Sequence, residues 1–251
     1  MRAWVTQQRE GEPLAAALQR VLLPAGLPEV AGWSVAALYQ PAGDAVLVGG
    51  DFYDWFTLPN GRVLFFVGDV SGKGPLAGAL GMSIRKALKG ITWVTGDAFA
   101  ALSLLEQALA DEFREAFATL CLIELTPGSG ALRLLVAGHP APWVRARGSF
   151  REVTAPPNGL LGPGLQEKWQ SLDLELAAGD LLMVFSDGLS EARLPDGRLF
   201  GEGPMAGFLT ALPTELAGYE TVLRTETHLR ELSCERSDDT IIAVLTYLPE
   251  P

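Results

Sequence analysis

Residues 49–74 read GGDFYDWFTLPNGRVLFFVGDVSGKG, and the pairing of the two apolar runs in this stretch decides the fold. DFYDWFTL and RVLFFVGD are rich in aromatic and β-branched residues, as strands are. Pro59, Asn60 and Gly61 between them are turn residues, so 51–69 is expected to be a β-hairpin. With those three residues as the loop, Leu58 pairs with Arg62, and counting outward brings Asp51 opposite Asp69. Cross-strand partners share a face with side chains ~5 Å apart. A two-residue loop would instead make the two acids diagonal neighbours.

Parity then sorts the hairpin into two faces. Tyr53, Trp55, Thr57, Val63, Phe65 and Val67 lie on the face of the two acids; Phe52, Phe56, Leu58, Leu64 and Phe66 lie on the other. Both faces are largely apolar, which marks strands covered on two sides. A buried unpaired carboxylate is costly, and two facing carboxylates are worse. A divalent cation between them removes both penalties.

The loop VGDVSGKGP, 67–75, resembles a nucleotide-binding phosphate loop at first sight. The Walker pattern requires four residues between its first glycine and the Gly-Lys pair, followed by Ser or Thr. Here three residues separate Gly68 from Gly72, and Gly74 stands where the hydroxyl belongs. The loop is therefore read through its carboxylate, Asp69.

Outside the hairpin, WSVAALYQ, ATLCLIEL, ALRLLVAG, PWVRA, DLLMVFSDG and TIIAVLTYL are expected strands. PLAAALQRVLLP (13–24), PLAGALGMSIRKALKG (75–90) and FAALSLLEQALADEFREAF (99–117, capped by Asp97) are expected helices, and 203–232 is a weaker helical region. Strands in antiparallel succession with helices inserted as blocks predict an α+β layered sandwich and disfavour a Rossmann sheet. The chain of 251 residues is 48% hydrophobic, enough for one large core. A net charge of −11 with only 19 Lys and Arg argues against nucleic acid as a partner. Cys121 and Cys234 belong to no metal-binding or disulfide spacing and are expected to be buried free thiols. There is no apolar run of spanning length and no signal-type N-terminus, so a cytoplasmic location without membrane association is expected.

Two more acidic sites resemble the first. Asp187 ends an apolar strand and precedes Gly188, expected to allow a tight turn; Asp238 and Asp239 immediately precede the last strand. Taken singly, each acid reads as readily as a turn residue. Together they suit a hard oxygen-ligand site for Mg²⁺ or Mn²⁺.

The ordered series GGDFYDWF, GDVSGKG, AGHPAPW, FSDGLSEAR with LFG, and SDDTIIAVL resembles the bacterial SpoIIE and RsbU branch of the metal-dependent protein phosphatases (PPM family), and LQRVLLP resembles its entry helix. The resemblance runs from about Leu14 to Leu248. It implies a four-layer αββα sandwich of two antiparallel sheets flanked by helices. Residues 1–12 would be an extension, and 13–251 the phosphatase domain with its entry helix. No additional sensor domain is expected.

Carried over by motif, Asp69 would bridge two Mn²⁺ or Mg²⁺ ions, with the Val70 carbonyl, Asp51, Asp187 and Asp238 completing the ligands. Asp239 would be a supporting or capping group. The chemistry implied is in-line attack on a phosphoserine or phosphothreonine by water activated between the ions, with these acids catalytic through that water.

Neither His139 nor His228 has a triad partner, and His228 is expected on the solvated surface. His139 could donate a proton or contact substrate, although its Gly- and Pro-rich turn favours a structural role. Ser71 stands where eukaryotic members carry a histidine proposed as general acid, so leaving-group protonation falls by default to a metal-bound water. Lys73 contacts substrate or partner, or is a solvated loop charge. The glycines 68, 72 and 74 are expected to ease the turn from strand to helix, and 70–89 would be a regulatory switch.

The implied substrate is a phosphorylated STAS-domain anti-anti-sigma-type regulator. An activator protein and a homodimer through the N-terminal helix are further expected contacts. Two other readings stay open at this stage: a non-catalytic phosphoprotein-binding regulator of the same fold, and a metal hydrolase of small phosphate esters.

Overall fold

The computed structural model describes residues 4–5, 23–42, 49–162, 164, 168–232, 234–235 and 237–249. In chain order these form β1 (Trp4–Val5), β2 (Trp33–Gln40), β3 (Asp51–Thr57), β4 (Val63–Val70), α1 (Pro75–Thr95), α2 (Ala98–Ala108), β5 (Ala118–Leu125), β6 (Ala131–Ala137), β7 (Trp143–Ala146), β8 (Ser149–Glu152), β9 (Leu172–Glu175), β10 (Leu181–Phe185), α3 (Asp187–Ser190), α4 (Pro204–Ala211), α5 (Gly218–Glu231) and β11 (Thr240–Tyr247). The helix expected over 13–24 lies outside the described residues, save Leu23 and Pro24.

Two sheets stack face to face. One has the order β1-β2-β11-β10-β7-β8 and the other β3-β4-β5-β6-β9. All pairings are antiparallel except that of β1 with β2. Three apolar layers hold the stack. Tyr53, Phe65, Val67, Ile123, Val184 and Ala243 fill the space between the sheets. Phe52, Phe66 and Leu122 meet Ile84, Leu88 and Leu102 of α1 and α2 on one outer face. Met183, Phe185 and Ile242 meet Leu209, Val222 and Leu229 of α4 and α5 on the other. The expected αββα sandwich is the observed one.

The hairpin has the expected register. Leu58 N donates to Arg62 O at 2.8 Å, and pairing runs from Thr57 with Val63 to Asp51 with Asp69. The face carrying the two acids is the one between the sheets.

Several elements differ from expectation. Helix α1 continues through Gly90 to Thr95, because Thr92 beyond the glycine is still buried and Gly96, in the left-handed region, caps the end through its N–H to Thr92 O. Helix α2 begins at its expected Asp97 cap but stops at Ala108, giving way to a short 3-10 turn at Glu112–Arg114 that buries Phe113. The 203–232 region is two helices, separated around Pro213. Gly72 and Gly74 do have positive φ, 90° and 97°, where other residues are strained. Gly68 instead lies within β4, where a Cβ would stand 2.4 Å from Phe52 and 2.8 Å from the Thr119 carbonyl. Cys121 is buried as expected, whereas Cys234 is only half-buried; among the described residues neither forms a disulfide.

Unforeseen by the hydrophobic pattern, Asp54 of β3 accepts from Arg85 Nε and Nη2 of α1 at 3.0 and 2.7 Å. This fixes the helix that follows the Asp69 loop against the strand that begins at Asp51. Removing one partner of a buried ion pair costs about 3–5 kcal/mol. Arg85→Met should accordingly lower the urea unfolding midpoint by a stability loss of that order, and the double change with Asp54→Leu should recover much of it. An unchanged midpoint in the single variant would show the pair to be inert.

Candidate metal centre

Strand ends from both sheets converge at one edge of the sandwich. Asp51 opens β3 and faces Asp69 near the end of β4; Asp187 is the first residue of α3, separated from β10 by Ser186 alone. One carboxylate oxygen from each lies within 4.8 Å of the others. Asp187 was expected to end a strand with Gly188 allowing a tight turn. It opens a one-turn helix instead, and Gly188 is required by close approach, since a Cβ there would lie 1.9 Å from Asp239 O.

Each acid is held differently. Asp51 is buried, and its Oδ2 accepts from Ser186 Oγ at 2.6 Å. Oδ1 of Asp187 is buried with no hydrogen-bond partner among the described residues. The Asp69 Oδ1 and the Val70 carbonyl oxygen lie 2.6 and 2.3 Å from the point a Cβ on Gly50 would occupy. Only a glycine leaves that cradle open.

Asp238 stands one step off this trio. Its Oδ2 is 2.8 Å from Lys73 Nζ, and its Oδ1 accepts from Asp239 N. Lys73 also donates to Ser237 O at 2.5 Å. Lys73, itself exposed, thus bridges the Asp69 loop and the Asp238 loop. Asp239 is buried and accepts from Tyr39 OH and from Ala42 N. Ser71 is turned to the segment just before β5: its Oγ accepts from Phe117 N at 3.0 Å.

His139 is buried, with Nδ1 2.8 Å from Thr119 Oγ1, and Thr119 is the β5 neighbour of Asp69. Burial pushes the imidazole down to about 3, so the ring is neutral at physiological pH. His228 is not a solvated surface residue; it is half-buried and stacks on Phe208 at 4.2 Å between ring centroids.

The electrostatics of the cluster are those of like charges taken out of water. Burial, and then the Asp69 charge, holds the Asp51 carboxyl well above the usual range. Burial, with Asp187 and Asp238 beside it, pushes Asp69 up to about 8. Asp187 is raised by burial and by Asp238. Lys73 is raised chiefly by its hydrogen bond to Asp238. An orphaned carboxylate oxygen, an open cradle beside a backbone carbonyl and an all-oxygen donor set fit a hard divalent cation.

Three residues of this site were not foreseen: Ser186, Tyr39 and Gly50. Ser186 was within reach of parity, since Leu182 and Val184 of β10 face the other sheet and Ser186 shares their alternation.

The family model described as Stage II sporulation protein E (SpoIIE) matches residues 59–248. Protein IcfG of Synechocystis sp. is 25% identical over 223 residues, covering 77% of this chain and 34% of that protein, so the chain spans about a third of that relative. The structure of the RsbU and RsbW domains of Rv1364c from Mycobacterium tuberculosis is similar with a TM-score of 0.72 and 27% identity, covering 89% of this chain and 62% of that one. The SiaA-PP2C domain of Pseudomonas aeruginosa is similar with a TM-score of 0.75 and 22% identity, covering 93% of this chain and 94% of that one.

Two outcomes follow from the geometry. Because Asp69 titrates higher in the folded chain than the ~4 of an unperturbed Asp, the folded state holds a proton that the unfolded state releases. Its contribution to stability is complete below about pH 4 and is lost as pH rises through about 8. In excess chelator the urea midpoint should therefore fall from about pH 5 to about pH 8, and Mn²⁺ should reverse that fall; a midpoint rising with pH would contradict it. Separately, Gly50→Ala should weaken Mn²⁺ binding at least about tenfold by calorimetry, the scale seen when ligand supports are lost. Wild-type affinity in that variant would show that the cradle is not used.

Proposed function

The chain belongs to the SpoIIE family, matched over residues 59–248, and on that premise we propose that it is a metal-dependent phosphoserine/phosphothreonine protein phosphatase. The observation that carries the proposal is the convergence of Asp51, Asp69 and Asp187, one carboxylate oxygen from each within 4.8 Å of the others, together with an Asp187 Oδ1 that is buried without a hydrogen-bond partner among the described residues. In support, a fold relative at 18% identity is the serine/threonine phosphatase PstP, whose catalytic domain is in complex with two manganese ions. RsbX, at 15% identity, is in complex with magnesium.

The proposed ligands for two Mn²⁺ or Mg²⁺ ions are Asp51, Asp69, Asp187 and Asp238 with the Val70 carbonyl. Bound there, such a pair supplies a water of lowered pKa and neutralises the phosphoryl oxygens during in-line displacement. The chain's own part is to present carboxylate and carbonyl oxygens from two sheets in one place. Asp69 and Val70 do this from the end of β4, with Gly72 and Gly74 turning the backbone away behind them. Asp51 does it from the facing strand, oriented by Ser186. Asp187 does it from the N-terminus of α3. Asp238 waits at the rim, where Lys73 holds it against the Asp69 loop. His139, neutral and buried beneath Thr119, is not offered to substrate; it props the strand beside Asp69.

For the substrate, the family resemblance leads to a phosphorylated STAS-domain regulator in a partner-switching pathway. The pairing of an RsbU with an RsbW domain in one similar structure supports that direction. Among the described residues, no helix is long and apolar enough to cross a membrane.

With Mn²⁺, the chain should release phosphate from a phosphorylated STAS-domain protein and from an aryl phosphate. Asp69→Asn should lower that rate by at least about 100-fold, the scale on which a preorganised charge-stabilising group registers, and chelator should abolish it. Activity surviving both interventions would reject the metal reading. Phosphoprotein binding without turnover would leave a binding module, and preference for small esters over the phosphoprotein would move the substrate class.

A further inference from the structure

Ser186 is fully buried between the sheets, the residue immediately before Asp187. Its hydroxyl has three neighbours: Ile241 N at 2.9 Å, Asp51 Oδ2 at 2.6 Å and Asp239 O at 3.5 Å. The Ile241 N–H can only donate, so Ser186 Oγ accepts from it. The hydroxyl has one proton left to give. Between Oδ2 of Asp51 at 2.6 Å and a carbonyl at 3.5 Å, distance sends it to Asp51.

The bonds therefore run in one direction, from Ile241 N–H to Ser186 Oγ and from Ser186 O–H to Asp51 Oδ2. This chain starts on β11 of one sheet and ends on β3 of the other. It has a consequence for Asp51. Oδ2 is engaged as an acceptor by a fully buried hydroxyl, and the carboxylate so held is one of the three whose oxygens lie within 4.8 Å of one another. The dipeptide Ser186–Asp187 thus does two things at once: one residue offers a carboxylate, and the preceding one aims a carboxylate from the opposite sheet.

We propose that Ser186 is a positioning residue that sets the divalent-cation affinity of the site by orienting Asp51 through this directional hydrogen-bond chain. The proposal rests on the reading of the acidic cluster as a metal centre. It goes beyond that reading by assigning affinity control to a residue that touches neither metal nor substrate.

The test is Mn²⁺ titration by calorimetry of wild type, Ser186→Ala, Ser186→Cys and Ser186→Thr, with phosphatase rates measured as a function of Mn²⁺. Ser186→Ala should raise the Mn²⁺ Kd about 10–100-fold, as loss of such ligand supports does, while kcat at saturating Mn²⁺ stays within about threefold of wild type. Ser186→Thr keeps the hydroxyl but adds a methyl to a packed position, so its Tm should fall while its Kd stays near wild type. Ser186→Cys, a weaker donor, should fall between Thr and Ala. Thr225→Ala, which removes another fully buried hydroxyl, bonded to Thr221 O at 2.8 Å on α5, should lower Tm without changing Kd.

Equal Kd for wild type and Ser186→Ala would overturn the proposal, as would Thr weakening binding as much as Ala. If the alanine variant does not fold, the order of Cys against Thr decides in the same way. A wild-type chain that binds no Mn²⁺ removes the metal reading and this inference with it; wild-type binding with an unchanged alanine variant removes the inference alone.

Discussion

Two carboxylates standing opposite each other on adjacent strands, in a layer covered on both faces, set the terms for everything around them. Asp51 and Asp69 pair in register, and neither can be moved without shifting the hairpin, whose alternation places Tyr53, Phe65 and Val67 between the sheets and Phe52, Phe56 and Phe66 under α1 and α2. A one-residue slip would relieve the charge opposition but would exchange the two apolar faces. The core therefore enforces an electrostatically unfavourable pairing, which is eased by the Ser186 hydroxyl brought to Asp51 from the other sheet and, for Asp69, by the Lys73 ammonium of the loop that follows it.

That arrangement explains why so much of the local packing around the site is tight. Gly50 and Gly188 each sit where a single added carbon would collide with a backbone oxygen. One collision is with Val70, the other with Asp239, and both oxygens belong to segments that carry acids. The site is close to the backbone on two sides, and its geometry follows from strand ends and one helix terminus more than from flexible side chains. Tyr39 and Ala42 fix Asp239 in turn, which ties the loop before β11 to the end of β2.

Much of this was legible in the sequence, for physical reasons that can be named. The hairpin register followed from three turn residues and from side-chain alternation, both local. The central strands were visible because each is apolar over nearly its whole length. The edge strands β8 and β9 were not, since only one or none of their four residues is buried. The run of α1 through Gly90 depends on burial of Thr92 against the rest of the fold, which no window on the helix contains. Three of the four motif acids come together as a close trio; the position of Asp238 depends on a contact with Lys73 far away in the chain. Ser186 could have been found by counting alternation along β10, whereas the glycine contacts could not, because they are made by segments distant in sequence.

The order in which the acids occur along the chain has its own consequence. Asp51 and Asp69 lie in the first third of the sequence, and Asp238 immediately precedes β11, which pairs between β2 and β10 in the middle of its sheet. β11 is therefore threaded between two strands, β2 and β10, that both precede it in the chain. Ile241, the donor that begins the hydrogen-bond chain to Asp51, arrives with it. The hydrogen-bond chain to Asp51 and the place of Asp238 beside Lys73 are thus completed only once that strand has docked.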